Sequence, residues 1–331
     1  MVRGTPIPQR MMQRKGPRMS LAIGVDVGGT KVAAGVVDAD GKVVEKVKRL
    51  TPAYSPAGTE QVIVEVVTEL LSRHQVDAVG IGAAGFVDET RSTVLFAPNL
   101  AWRDEPVKKQ VEERVGREVI VENDANSAVW AEAKFGAARG HDHVVLIAVG
   151  TGIGAGLLLD GRVYRGRWGS AGEPGHYRVV PEGRLCGCGN RGCWEQYVSG
   201  NALVAEAREF ARRSPGAAVR LLQLAGGSAD GIDGPAVTQA ALEGDAVALR
   251  CFEIIGHWLG TGLADLAAIL DPGCFVIGGG VSEAGALLIG PARAAFEAGL
   301  TGGSYRPLAE IKPAQLGTDA GLIGAADLAR G

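Results

Sequence analysis

LAIGVDVGGTKVAAGVV, residues 21–37, and VVLIAVGTGIGAGLLL, residues 144–159, follow one design. In each, an apolar run ends in a glycine turn carrying a threonine, and a second apolar run follows. Short apolar runs bounded by glycine read as buried strands. The first copy turns at Gly28-Gly29-Thr30-Lys31 and again at Asp40-Gly41, leading into a third run over residues 42–47. The second turns over residues 150–154, resumes over 156–159, and its Asp160-Gly161-Arg162-Val163 echoes Asp40-Gly41-Lys42-Val43. Residues 59–73 have helical spacing, with Val62, Val66 and Leu70 on one face, and residues 76–82 form another buried strand. The order strand, strand, strand, helix, strand, begun twice about 120 residues apart, predicts a duplicated α/β fold. Two such lobes face each other across a cleft, where ligands bind.

Between and after these runs the chain is largely helical. Residues 237–270 carry Val247, Cys251, Ile254, Trp258 and Leu266 at helical spacings interrupted by glycine. Asp271-Pro272-Gly273 turns into a short strand at 274–277 that ends in Gly278-Gly279-Gly280, and helices are expected at 284–296 and 321–329. The last of these is placed to pack back on the first lobe. The expected division is a smaller lobe of residues 21–127 plus 321–331 and a larger one of residues 128–320.

Composition narrows the function. The 331 residues carry 34 Lys and Arg against 37 Asp and Glu, which excludes a nucleic-acid binder that works by neutralising phosphates. No run of about 18 uncharged apolar residues exists to span a membrane. Five cysteines, an odd number, argue against a secreted disulfide scaffold and for a cytoplasmic protein. Residues 1–20 hold five basic side chains and no acidic one, leaving 29 basic against 37 acidic residues in the remainder. This stretch reads as a leader outside the folded body, or else as a basic arm. The 50 glycines, about twice the usual share of roughly 7%, are expected in turns and ligand loops.

Three groups of residues carry chemistry. Neither early glycine turn is a Walker A loop, because no Gly-x-x-x-x-Gly-Lys-Ser/Thr pattern exists, or a dinucleotide fingerprint, because each leads into a strand and not a helix. Converging backbone N–H groups still suit an anion, with Thr30, Lys31 and Thr151 as further donors. Asp26 closes an apolar strand, a costly place for a carboxylate unless a cation binds it. His176, Cys186, Cys188 and Cys193 fall at His-x9-Cys-x-Cys-x4-Cys, a closed set for structural zinc. Cys251 and Cys274 read as core residues. Glu122-Asn123-Asp124-Ala125-Asn126 lies between the apolar run 119–121 and a helical stretch from Ser127. It fits either a helix N-cap turn or a set of groups for sugar hydroxyls with Asp124 as a base. Glu173 and Glu195 flank the histidine and cysteine loop.

Together these segments resemble the ROK family of bacterial sugar kinases and repressors. The resemblance rests on residues 26–31, 122–126, 150–154 and 271–280, and most specifically on Glu173-Pro174-Gly175-His176 and residues 186–195. It implies a duplicated actin-like, ribonuclease H-like two-lobed fold and ATP-dependent phosphorylation of glucose at its 6-hydroxyl. By that resemblance Asp124 is the base, and Gly85, Asn123, Glu173, His176 and Glu195 line the sugar site. ATP falls to Asp26, Gly28, Gly29, Thr30, Lys31, Thr151, Gly152, Gly279 and Gly280, with Mg2+ bridging phosphates near Asp26. It also implies structural Zn2+ and a homodimer or homotetramer. N-acetylglucosamine, N-acetylmannosamine, mannose or fructose are alternative sugars, and polyphosphate an alternative donor. A sugar-responsive repressor is disfavoured, because 20 residues before Leu21 are too few for a helix-turn-helix domain.

Overall fold

The computed structural model describes residues 21–331; the basic leader at 1–20 lies outside the described residues. A hairpin of β1 (Ala22–Val27) and β2 (Lys31–Val37) continues into β3 (Val43–Leu50), followed by α1 (Pro56–Leu71) and β4 (Ala78–Ala83). Ser55 starts α1 by accepting a hydrogen bond from the Gly58 N–H, with Pro56 at the first helical position. A small sheet of β5 (Phe86–Val87), β6 (Val94–Phe96) and β7 (Arg103–Glu105) precedes α2 (Val107–Val115), β8 (Val119–Asn123) and α3 (Asp124–Lys134). The second half begins with β9 (Val144–Val149), β10 (Ile153–Leu159) and β11 (Arg162–Val163). Helices α4 (Glu195–Val198), α5 (Gly200–Arg213), α6 (Val219–Leu224), α7 (Gly234–Leu242) and α8 (Ala246–Leu270) follow. The chain ends with β12 (Cys274–Gly278), α9 (Ala286–Gly299), β13 (Glu310–Pro313) and α10 (Ala320–Ala329).

The sheet orders are β3-β2-β1-β4-β8 and β11-β10-β9-β12-β13. In both, three antiparallel strands are followed by two parallel ones, so the duplication expected from the two glycine turns extends through the whole topology. The chain therefore has the fold class expected, with the carboxyl ends of the parallel strands in each sheet available for ligands. Local differences have local causes. β10 begins at Ile153 and not Gly156, because Gly150 N–H already bonds the Gly152 carbonyl at 3.0 Å and completes the turn in three residues. The expected helical stretch 237–270 is two helices. Gly244, at φ +88°, breaks it, and the Asp245 carboxylate restarts it by accepting from the Val247 and Ala248 N–H groups. α3 starts at Asp124, three residues before Ser127, so a lobe boundary at residue 127 cuts through a helix.

The glycine excess is not confined to turns. Gly24 on β1 and Gly80 on β4 lie under α10. A Cβ at Gly24 would stand 1.9 Å from the Leu322 carbonyl oxygen, and one at Gly80 equally close to that of Ala325. On the other side of α10, a Cβ at Gly324 would be 1.7 Å from the Ser127 carbonyl oxygen of α3. The helix thus rests on sheet and helix backbone to backbone. The side chains around it, Leu322, Ile323, Ala326 and Ala131, are buried. α3 presents Val129 to Val144, Leu146 and Leu158 of the second sheet, so it is shared by both halves.

Small-to-large substitution in so tight a contact costs about 1–3 kcal/mol or more. Gly80→Ala is expected to lower stability by at least that range in thermal or denaturant unfolding. Gly216→Ala, where an added Cβ meets nothing within 4 Å, is expected to be close to neutral.

Candidate active site

The two glycine turns, the end of β8 and the histidine and cysteine loop converge on one cleft. In the first turn the Gly28 N–H bonds the Lys31 carbonyl at 3.1 Å, and the Gly28 carbonyl accepts from the Thr51 hydroxyl at 2.8 Å. Gly28 is thereby committed to the shape of the turn, while Thr30 and Lys31 project into solvent. Gly29 packs against Asn99, whose Cβ would lie 2.9 Å from an added Cβ. In the second half, Gly279, at φ +83°, comes so close to Val149 that an added Cβ would meet its carbonyl oxygen at 2.5 Å. The Gly150 carbonyl accepts from the Gly200 N–H at the start of α5, at 2.7 Å. Gly150, Thr151, Gly152, Gly279, Gly280 and the Ser199-capped end of α5 thus form one wall. Asn99, Ser199 and Gly200 are absent from the sequence-based site; the polar turn Pro98-Asn99 and the serine cap were the available signals.

At the end of β8 the N-cap reading holds for Asn123. Asn123 is the N-cap of α3. Its Oδ1 accepts from the Asn126 N–H at 2.9 Å and its Nδ2 donates to the Gly85 carbonyl at 3.1 Å. Asn123 does the capping, while Asp124 Oδ1 accepts from the N–H of the next residue, Ala125, at 2.9 Å. Burial pushes Asp124 up to about 6. Asp26, at the end of β1, is likewise pushed up to about 6, chiefly by burial and then by Asp124, with Lys31 and Lys46 opposing. An ion pair engages Lys46 with Asp319. Glu173 rises to about 7 through burial, Asp124 and Glu195.

The donor atoms of His176, Cys186, Cys188 and Cys193 all lie within 4.8 Å of one another. Cys188 and Cys193 sulfurs are 3.6 Å apart, and Cys186 Sγ is 3.7 Å from His176 Nδ1. Four ligands placed tetrahedrally at zinc bond lengths have edges of about 3.8 Å between sulfurs and about 3.6 Å between sulfur and nitrogen. The spacing therefore fits a tetrahedral divalent cation. The loop is shaped for it by the Cys186 N–H bond to the Asn190 carbonyl (2.8 Å) and by Gly192 at φ +77°, where a Cβ would stand 1.6 Å from the Val180 carbonyl oxygen. Burial pushes the Cys186 thiol up to about 12, so a cation among the sulfurs supplies the charge their ionisation needs. Glu195 joins the loop to the cleft. Its Oε1 is 3.0 Å from Cys186 Sγ and 3.8 Å from His176 Nδ1, and its Oε2 would be 2.7 Å from a Cβ at Gly152. Cys251 and Cys274 are fully buried in the core, apart from this cluster.

The arrangement is a polar cleft with four neighbouring carboxylates, two glycine turns, and a metal-fit loop carrying an imidazole. A family model described as the ROK family matches residues 22–331. The chain is 50% identical to a glucokinase of Streptomyces coelicolor over 94% of its own length and 98% of the relative's. It is 37% identical to a glucokinase of Thermotoga maritima over 94% and 98% of the two chains. The solved structure of a ROK family glucokinase from Streptomyces griseus, in complex with glucose and AMPPNP, matches with a TM-score of 0.85 at 53% identity. That match covers 94% of this chain and 99% of the other.

Elemental analysis of the purified protein is expected to find one equivalent of a divalent metal per chain. Cys193→Ser removes a buried ligand, so metal content should fall well below one equivalent and the thermal midpoint should drop. A metal-free wild-type protein of unchanged stability would exclude a metal role for the loop.

Proposed function

The chain belongs to the ROK family, and from that premise we propose that it transfers the terminal phosphoryl group of ATP to the 6-hydroxyl of glucose. Asp124 is the general base of this reading. The observation that carries it is the arrangement at the end of β8: Asn123 satisfies the first turn of α3, and the adjoining Asp124 carboxylate acts on Asp26 and Glu173 with a proton affinity raised toward neutrality. Similarity to glucokinases along nearly the whole chain favours glucose over the other hexoses.

Asp124 accepts the hydroxyl proton as the sugar oxygen bonds the terminal phosphorus. The bond from that phosphorus to the bridging oxygen breaks, and ADP leaves. The Gly29 and Thr30 turn and the Thr151 and Gly152 turn orient the phosphates from opposite walls, which is the main catalytic contribution in phosphoryl transfer. Asn123, with Gly85, braces the sugar side. Glu173, Glu195 and His176 read hydroxyls, His176 through the ring nitrogen not facing the sulfurs. The loop's cation is zinc in this reading, structural in role, held by His176, Cys186, Cys188 and Cys193. Asp26, half-buried and lifted by desolvation, fits a cation, and Mg2+ held there would supply charge neutralisation for the phosphates.

Asp124→Asn keeps the shape of the side chain but cannot take the proton. A base contributes about 10²–10⁴-fold, so kcat is expected to fall at least 100-fold while calorimetry still detects glucose binding. A variant that keeps more than about a tenth of kcat removes Asp124 from the role of base. The raised proton affinity also sets a pH dependence. Asp124 works when deprotonated, so kcat/KM for glucose, which reports the unliganded enzyme, should fall about tenfold per pH unit below about 6 and level off above it. An acid limb near pH 4 would place the base elsewhere.

A further inference from the structure

Beside Asp124 lies a carboxylate that the reaction does not use. Glu122 is 2% exposed, yet it sits at the end of β8 and meets four partners. Its Oε1 accepts from the Asn126 side-chain amide at 3.1 Å and lies 3.2 Å from the donating Asn123 backbone N–H. Its Oε2 accepts from Arg165 Nε at 2.8 Å and Nη2 at 2.5 Å, and Arg91 Nε is 3.2 Å from the same oxygen. One oxygen therefore holds the residues on either side of Asp124, and the other holds a guanidinium that arrives from the second half of the chain.

Arg165 follows β11 and begins the loop that leads to Glu173. Its own carbonyl accepts the Ala171 N–H at 3.1 Å, closing that loop on itself. The loop is pressed against β5, where a Cβ at Gly169 would stand 2.0 Å from the Val87 carbonyl oxygen. Glu173 comes two residues after Ala171. A single side chain is thus bonded at one end to the segment carrying the base and at the other to the segment carrying a hydroxyl reader. Burial and multiple donors on each oxygen make such a carboxylate a rigid anchor.

We propose that the Glu122–Arg165 pair is a positioning device for the phosphoryl transfer, fixing Asp124 against the sugar held by Glu173. The inference rests on the sugar kinase reading above. Misplacing a reacting group by about 1 Å costs about 10²-fold in rate, which sets the size of the effect.

The test measures kcat, both KM values, thermal midpoint and metal content for the wild type, E122Q, R165M, R165K and the E122Q/R165M double variant, with glucose and ATP. R165M is expected to lose about 10–100-fold in kcat, with KM for ATP within about twofold of wild type. R165K, which keeps the charge, should recover most of that loss. The double variant should be no slower than the slower single variant, because the two residues act as one unit. Should R165M fail to fold, E122Q carries the comparison of kcat with KM in its place, and R165K serves as the folded control. Unchanged kcat with a lowered thermal midpoint would reduce the pair to a structural role, and rate losses that multiply in the double variant would also overturn the proposal. Absence of glucose phosphorylation by the wild type would overturn the kinase reading itself, and the positioning role with it.

Discussion

A helix lies on a sheet with no room for one methyl group between them, and the cleft is arranged around that contact. The carbonyl oxygens of Leu322 and Ala325 occupy the space where side chains of residues 24 and 80 would be, and Gly324 meets α3 in the same way on the other side. Close packing of backbone on backbone leaves few ways to shift the helix, since interiors resist compression. The consequence reaches the chemistry through Gly321. A Cβ there would lie 3.6 Å from Asp26 Oδ1 and 3.8 Å from the Asp124 carbonyl oxygen. The last helix of the chain thus packs beside the Asp26 carboxylate at the end of β1 and the Asp124 backbone at the start of α3.

Neighbouring carboxylates give the cleft its electrostatic character. Asp26, Asp124, Glu173 and Glu195 act on one another, and Asp26, Asp124 and Glu173 all hold protons more tightly than free carboxylates do. A group of half-buried, neighbouring carboxylates is unfavourable until it meets cations or hydroxyl donors. The same repulsion that burdens the folded chain therefore favours a ligand rich in hydroxyls and the positive charge that accompanies a nucleotide. The metal-fit loop adds rigidity at one edge, because Glu195 leans on the sulfurs of the loop and against Gly152 of the second glycine turn.

Much of this was legible in the residues themselves, and the parts that were not have physical reasons. The duplication showed because hairpins use local turn chemistry, Gly with Thr and Asp with Gly, which repeats visibly. The histidine and cysteine cluster showed because its ligands are close in sequence. Glycines 24, 80 and 324 were not legible as packing residues, since what they accommodate lies about 300 residues away for Gly24. The start of α3 was misplaced because Asn and Asp both make good caps, and only the Gly85 and Asn126 bonds decide which one serves. Arg165 carried no signal either. Its partner Glu122 precedes it by 43 residues and belongs to another sheet, so no local pattern joins them.

The placement of α10 also bears on the order in which the chain takes shape during synthesis. The first sheet is complete in sequence at Asn123, but the helix that covers one of its faces begins at Ala320. At about 5–20 residues per second, roughly 10–40 s separate the two. During that interval strands β1, β2 and β4 exist without the backbone that fills the glycine grooves on their surface. The second half, from β9 to β13, has all its strands and covering helices before α10 emerges. The amino-terminal lobe is therefore the later one to close.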